Sequence, residues 1–392
     1  MKVLYILSPN DRFNYGDLLF APILKNYFGD YFDKIIYCST TSADLTSLGG
    51  MRVESFSRLY EANDKDENYL IVGGGECLCV RWSTILSYIY PGINKAKKIL
   101  NIKWVRKYVP GLLDIYIKYK YNVKTLFPFT VGKNELNTFN VIIYNSVGGV
   151  NVNNKISRIH NKKIINVLSS VDYISVRDEQ AHSFLSNIGI ESNLVADSAI
   201  LMSDVFSESF LHDRCRQDFK TISSYNYIFF QINYKYSKSA TKHISEALNS
   251  INKTTGYKIV LCPIGTALSH SDHIALASIA SYMDKDSYFL IEQPSVWEIM
   301  WLIKHSKLYS GCSLHGTITA MSFNVPFVAY GPLKLSSYLK QWDPENTSSH
   351  FVEINNLEGA ILKELSEKTM YSPEKQKMTV VASFEVMKHL IQ

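Results

Sequence analysis

Long apolar runs are missing from this 392-residue chain. No window approaches the ~18 uninterrupted apolar residues of a membrane span, so a soluble or peripheral protein is expected. The apolar N-terminal run, Met1 to Leu7, stops at Ser8-Pro9 and is too short for a secretory signal. Cysteine is sparse and unpatterned. Cys38, Cys77, Cys79, Cys215, Cys262 and Cys312 include no CxxC pair and no zinc-ligand spacing. They read as reduced, mostly buried thiols of a cytoplasmic protein. No metal-ligand cluster, repeat or low-complexity tract stands out. The triple glycine Gly73-Gly74-Gly75 fits neither GxGxxG nor GxxxxGKS/T, so it is neither a dinucleotide nor a Walker fingerprint.

Net charge is only +5, and it is unevenly placed. Between Arg81 and Lys133 there are eleven Lys/Arg against a single acid, Asp114; the remainder holds 30 basic and 35 acidic residues. A basic segment on an otherwise acidic chain excludes nucleic-acid binding by the whole protein. What is there is ordinary for a folded protein: 46% apolar and 20% charged residues, in a length that suits two domains. The 26 tyrosines suit both β-rich cores and sugar-binding surfaces.

Strand, glycine or polar turn, then helix: this alternation recurs and predicts a parallel α/β sheet. Lys2–Ser8 reads as a buried strand, followed by the turn Asn10–Asp17 and a helix over Leu18–Phe28, with Pro22 tolerable in its first turns. Lys34–Cys38 and Tyr69–Val72 are strands, the second entering Gly73-Gly74-Gly75-Glu76, whose amides either expose N–H groups to an anion or simply make a tight turn. Asn140–Asn145 and Val171–Val176 follow. Arg177 leaves the latter strand, placed either to bind a carboxylate or phosphate or to pair with Asp178 or Asp197. Ser203–Ser224, polar and poorly periodic, is the expected boundary. The pattern then restarts with strands at Tyr227–Ile232, Lys258–Cys262 and Tyr288–Ile291. The fold expected is α/β: two Rossmann-like domains facing a cleft, over residues 1–205 and 220–345. Residues 346–392 form a C-terminal tail or helix, expected to pack back on the first domain.

The basic segment, 81–133, interrupts the first domain as a helical insertion. Lys and Arg alternate there with Trp104, Tyr108 and Leu112, and Pro110-Gly111 breaks the pattern. It is either a surface hairpin with a solvated basic face or an interfacial element for an anionic membrane surface. In Ser310–Pro332, a lone His315 sits in a small-residue run before an amphipathic segment. A helix opening near Gly316-Thr317 would aim its free amides at an anion beside that imidazole.

Several patches together resemble the polysaccharide pyruvyl transferase family. They are Asn14-Tyr15-Gly16-Asp17-Leu18, Val72-Gly73-Gly74-Gly75, Ser175–Glu179 with Leu185 and Gly189, Val195-Ala196-Asp197, Asp272, and Ser313-Leu314-His315-Gly316 with Ala320, Pro326 and Lys334. The resemblance runs over roughly residues 1–339. It implies a GT-B-like fold and an enzyme that moves the enolpyruvyl unit of phosphoenolpyruvate onto two sugar hydroxyls as a ketal, releasing phosphate. The sugar would belong to a bacterial-type surface polysaccharide or its lipid-linked precursor. Many relatives carry Arg immediately before the Leu-His pair, where this chain has Ser313.

That chemistry needs an acid for carbon, a base for hydroxyls, and cations or amides for a carboxylate and a phosphate. His315 is the candidate acid, since imidazole changes protonation near neutrality. Asp17 is the candidate base, or alternatively a cap of the Leu18 helix. Arg177, Ser313, Leu314, Gly316, Thr317, Lys334 and His270 are assigned to the donor, with Asp272 able to line the same side. Asn14, Gly16, Gly73, Gly74, Gly75 and Glu76 are assigned to the acceptor. No metal or cofactor is called for beyond phosphoenolpyruvate as donor. A cytoplasmic protein, peripheral at the inner face of the cell membrane, is expected. Two other readings stay open: a GT-B nucleotide-sugar glycosyltransferase, and a non-catalytic scaffold of a membrane-bound assembly complex.

Overall fold

The computed structural model of the chain describes residues 1–100, 112–149, 152, 158–268, 271–367, 369 and 371–392. Its first sheet contains β1 (Lys2–Leu7), β2 (Lys34–Ser39), β3 (Ala43–Asp44), β4 (Arg52–Ser55), β5 (Glu67–Gly73), β6 (Phe139–Val147), β7 (Tyr173–Val176) and β8 (Asn193–Leu194). They lie in the order β3-β4-β2-β1-β5-β6-β7-β8, and only β3 and β4 pair antiparallel. The second sheet contains β9 (Tyr227–Gln231), β10 (Lys258–Leu261), β11 (Tyr288–Leu290), β12 (Leu308–Gly311) and β13 (Phe327–Ala329). Its order is β11-β10-β9-β12-β13, parallel throughout. Central strands such as β1 (KVLYIL) and β9 (YIFFQ) are apolar nearly end to end because helices cover both faces of a parallel sheet.

Each sheet reverses its winding once, between β1 and β5 in the first and between β9 and β12 in the second. Helices feeding from opposite sides leave a crevice at such a point, beyond the carboxyl ends of the strands. The loops there are Ser8–Asn14 after β1, Gly74-Gly75-Glu76 after β5, and Cys312-Ser313 after β12.

The helices that matter below are α1 (Tyr15–Phe28), α2 (Trp82–Ile89), α3 (Pro91–Leu100), α4 (Leu112–Lys120), α5 (Arg158–Leu168), α6 (Asp272–Ala280), α7 (Val296–Lys304), α8 (Leu314–Ser322) and α9 (Glu374–Ile391). α1 begins three residues earlier than its spacing predicts, at the N-cap Asn14, so Pro22 falls inside the helix rather than in its first turns. There it forfeits one backbone hydrogen bond. The helix survives because it is the shared core element: Leu19 and Ile23 belong to one cluster with Ile299 and Met300 of α7 and with Ile318 and Met321 of α8. That cluster welds the lobes together. At its edge the Tyr15 amide donates to the Ile264 carbonyl at 3.1 Å, and the Tyr15 hydroxyl meets Thr319 Oγ1 at 2.8 Å.

The polar stretch Ser203–Ser224 forms short helices, Glu208–Arg214 and Gln217–Ile222 among them, which send Leu211, Cys215 and Phe219 into the same cluster. α9 lies on the first lobe, with Phe384 edge-on to Tyr27 and Phe28 at centroid distances of 4.9 and 5.1 Å. The basic segment supplies α2, α3 and α4, while residues 101–111, with the Pro110-Gly111 break, lie outside the described residues. All six cysteines are buried. Among the described residues no helix is long and apolar enough to cross a membrane.

Candidate active site

The site is assembled around the first turn of α8. Ser313 is its N-cap, with Oγ accepting the Gly316 amide at 3.3 Å. The helix therefore opens at Leu314, two residues before the expected start, and this overturns one expectation. Gly316 and Thr317 do not offer free amides, because the first is held by Ser313 Oγ and the second by the Ser313 carbonyl at 3.0 Å. Neither residue lines the cleft. The amides left without a partner among the described residues are those of Leu314 and His315, which do line it. A nine-residue helix thus points its positive end into a cavity of about 430 Å³.

His315 is buried against the first lobe. Its Nε2 lies 3.5 Å from Asp197 Oδ2 and 3.4 Å from Arg177 Nη1, and Phe20 stands edge-on to the ring. On the other side the ring rests on Gly16. A methyl group there would come within 1.8 Å of Nδ1, so glycine is what lets α1 and the imidazole touch.

Two buried arginines divide the cavity floor. Arg177 Nη1 donates to Asp197 Oδ2 at 2.5 Å, and Nη2 lies 3.5 Å from Glu76. Burial opposes the charge on both Arg177 and Asp197. Their mutual attraction prevails, holding the guanidinium above its ordinary value and the Asp197 carboxyl well below the usual carboxylate range. Arg177 thus pairs with Asp197, as one of its two readings has it, and it also lines the cavity. Arg12 is locked similarly, with Nη1 2.9 Å from Asp11 and Nη2 3.1 Å from Asp17. Asp17 also accepts from Asn14 Nδ2 at 3.1 Å. It stands inside the first turn of α1, and the capping position falls to Asn14 instead.

The charge balance separates the cations. Arg12 and Arg177 are neutralised by their carboxylates, whereas Lys235 and Lys334, also in the lining, make no ion pair among the described residues. Lys334 was expected on the donor side. Lys235 carried no sequence signal beyond being a lysine in the turn after β9.

Asp272 opens α6 in the same wall. Oδ2 accepts from Gln231 Nε2 at 2.8 Å and from the Ile264 and Gly265 amides at 3.1 and 3.0 Å, while the buried Oδ1 has no partner. Burial outweighs these hydrogen bonds and pushes the carboxyl up to about 6. A raised folded-state value means that ionisation works against the fold. The penalty is absent below the unfolded value, grows as pH rises towards about 6, and is complete above that. Asp272→Asn keeps an acceptor for the same three donors and removes the charge. Above pH 6 it should stabilise the protein by on the order of 3 kcal/mol, and below the ordinary Asp value by nothing. Calorimetric melting of both proteins at acid and alkaline pH reads the difference directly; a gain equal at both ends would mean that the carboxyl is not the source.

The remaining assignments divide. Asn14, Asp17, Glu76, Arg177, Ser313, Leu314, His315 and Lys334 meet in this one cavity. Gly73, Gly74 and Gly75 do not line it. Gly74, at φ +53°, gives its amide to the Asn145 carbonyl and packs on Phe20, so the triple glycine is a tight turn. Gly16 acts from beneath the imidazole. His270 lies outside the described residues. Among the described residues no three His, Cys, Asp or Glu side chains converge as a metal site would.

Two Rossmann-like lobes meeting at both winding reversals define a GT-B fold. Solved structures agree at the level of fold. A UDP-GlcNAc 2-epimerase from Methanocaldococcus jannaschii, in complex with UDP-GlcNAc and UDP, superposes with a TM-score of 0.53 at 12% identity, covering 99% of this chain and 100% of that one. The UDP-GlcNAc 2-epimerase from Neisseria meningitidis gives 0.55 at 9% identity, over 100% and 99%. That from Rickettsia bellii gives 0.54 at 11%, over 100% and 96%. No curated protein matches the sequence. The family profile of polysaccharide pyruvyl transferases matches residues 14–332, so the chain belongs to that family.

Proposed function

We propose that this protein transfers the enolpyruvyl unit of phosphoenolpyruvate to two hydroxyls of a sugar, as a ketal, and releases phosphate. The sugar is that of a surface polysaccharide or of its lipid-linked precursor. One observation carries the reading: the unpartnered Leu314 and His315 amides share a cavity with the unpaired Lys235 and Lys334, beside an imidazole backed by a buried carboxylate. This is a receptacle for a small polyanion with an acid at its edge.

In this reading the lysines and the α8 amides hold the donor's carboxylate and phosphate. Because Ser313 caps the helix, anion binding at that position falls to backbone and lysine rather than to a side-chain guanidinium. His315 gives a proton to the vinyl CH2, which becomes a methyl, and the positive charge develops at the neighbouring carbon. Asp197 stabilises the imidazolium beforehand. A sugar hydroxyl adds to that carbon and loses its proton to Asp17. A second hydroxyl then displaces phosphate, breaking the C–O bond to it and completing the ketal, and its proton returns to the imidazole that gave one to carbon. Arg12 keeps Asp17 oriented through its 3.1 Å contact.

Incubation with phosphoenolpyruvate and a defined oligosaccharide should release inorganic phosphate in step with a mass gain of one pyruvyl ketal on the acceptor. Release of UDP or GDP from a nucleotide-sugar, with phosphoenolpyruvate untouched, would replace this reading by that of a glycosyltransferase.

A further inference from the structure

α4 presents apolar residues outward. Leu112, Ile115, Tyr116 and Tyr119 recur at i, i+3, i+4 and i+7, the spacing of one helical face. That face is not against the core: Ile115 is 64% exposed, Tyr119 89%, and the other two about half. The opposite side anchors the helix. Ile117 is fully buried there, and Asp114 Oδ1 accepts the Ser83 amide of α2 at 3.0 Å. An apolar stripe held out to solvent on an anchored helix is a docking feature rather than a packing residue count left over by chance.

The charges beside it are mostly positive. Lys118, about 60° round the helix from Ile115, also lines a second cavity, of about 350 Å³, together with Lys124 and with Lys162 and Lys163 of α5. None of these four makes an ion pair among the described residues. Desolvation, and then the charge of Lys163, draw the Lys118 ammonium below its ordinary value, which shows how closely these cations crowd. The acid in the lining is Glu135. Its burial, stronger than the opposing pull of Lys118, pushes it up to about 7, so it carries only part of its charge near neutrality. A second copy of this chain is a poor occupant, since a two-fold contact would set lysines against lysines. A soluble phosphate ester would use the lysines and leave the stripe without a role.

We propose that the outer face of α4 and the lysine-lined cavity next to it form a docking surface for an anionic lipid leaflet. Ile115, Tyr116 and Tyr119 enter the boundary between headgroups and acyl chains, and the cavity receives a lipid phosphate. The surface rests on a different part of the chain from the active site, and it stands or falls separately from the reaction proposed above.

The full chain is to be sedimented with phosphatidylcholine vesicles, with and without phosphatidylglycerol, over a range of salt. Anionic lipid should raise the bound fraction at least about tenfold, and salt should reverse the gain. Tyr116→Ser with Tyr119→Ser should lower binding at every salt concentration. Lys118→Glu with Lys163→Glu should abolish the preference for anionic lipid. The tyrosine pair should leave the melting temperature unchanged, and both pairs should leave phosphate release on a soluble acceptor unchanged. Equal binding to both lipids, or double variants that bind like the parent, overturns the proposal. So does calorimetric binding of inorganic phosphate without vesicle binding, or a concentration-dependent dimer that ignores vesicles.

Discussion

Replacing His315 by glutamine is expected to lower phosphate release from phosphoenolpyruvate by roughly 10²- to 10⁴-fold, the range of a lost general acid. The fold should be kept, because glutamine fills much of the same volume and can still reach Asp197 and Arg177, which face Nε2. An independent route leads to the same loss without touching the imidazole. Gly16→Ala places a methyl group where the ring now lies, within 1.8 Å of Nδ1, and the ring has Asp197, Arg177 and Phe20 on its other sides. The imidazole must therefore rotate out of its place between the lobes. Alanine favours helix over glycine by about 1 kcal/mol, so a folded but slow Gly16→Ala enzyme would identify position, not stability, as the cause. Turnover of the glutamine variant within tenfold of the parent would remove His315 from the chemistry.

The parts of this architecture readable from sequence are those set by local pattern. Apolar runs ending in glycine or polar turns mark β1, β5, β7, β9 and β10 because a parallel sheet buries both faces of its strands. Arg177 stood out for a similar reason, following directly on such a run, and His315 as a lone histidine in a run of small residues. Partnership was not legible. Nothing local distinguishes Arg12, locked between Asp11 and Asp17, from a solvated arginine in a polar turn. Asp197 lies 118 positions from the imidazole it supports, and only the closed lobes bring them within 3.5 Å. Helix starts were misplaced wherever a cap lay upstream of the apolar pattern, at Asn14 and again at Ser313. At Ser313 the error changed the chemistry, moving the free amides from Gly316-Thr317 to Leu314-His315. Ser203–Ser224 lies between the two sheets, and its few apolar residues, Leu211, Cys215 and Phe219, are the ones that dock.

Removing the cation from the buried pair should cost more stability than any other single change in the cavity. Arg177→Met leaves the Asp197 carboxylate wholly buried, with the His315 ring 3.5 Å away. Breaking a buried pair in this way typically destabilises by about 3–5 kcal/mol. The sign of the pH dependence identifies the mechanism. In the parent, Asp197 titrates below its ordinary value, so its contribution is present at neutral pH and is lost only as pH falls below the usual carboxylate range. Without Arg177, burial, already the largest single influence on Asp197, loses its main opponent and the Asp197 value rises. The penalty then grows as pH rises, and the variant's deficit should be smaller at pH 4–5 than at pH 8. Adding Asp197→Asn should recover much of the stability, because the stranded charge is gone, but none of the turnover, because the imidazolium has lost its counter-charge. Denaturant midpoints at the two pH values, with phosphate release measured alongside, test both halves. A deficit independent of pH, or a double variant no more stable than Arg177→Met alone, would show that packing around the guanidinium, and not the pairing of charges, holds this corner of the site together.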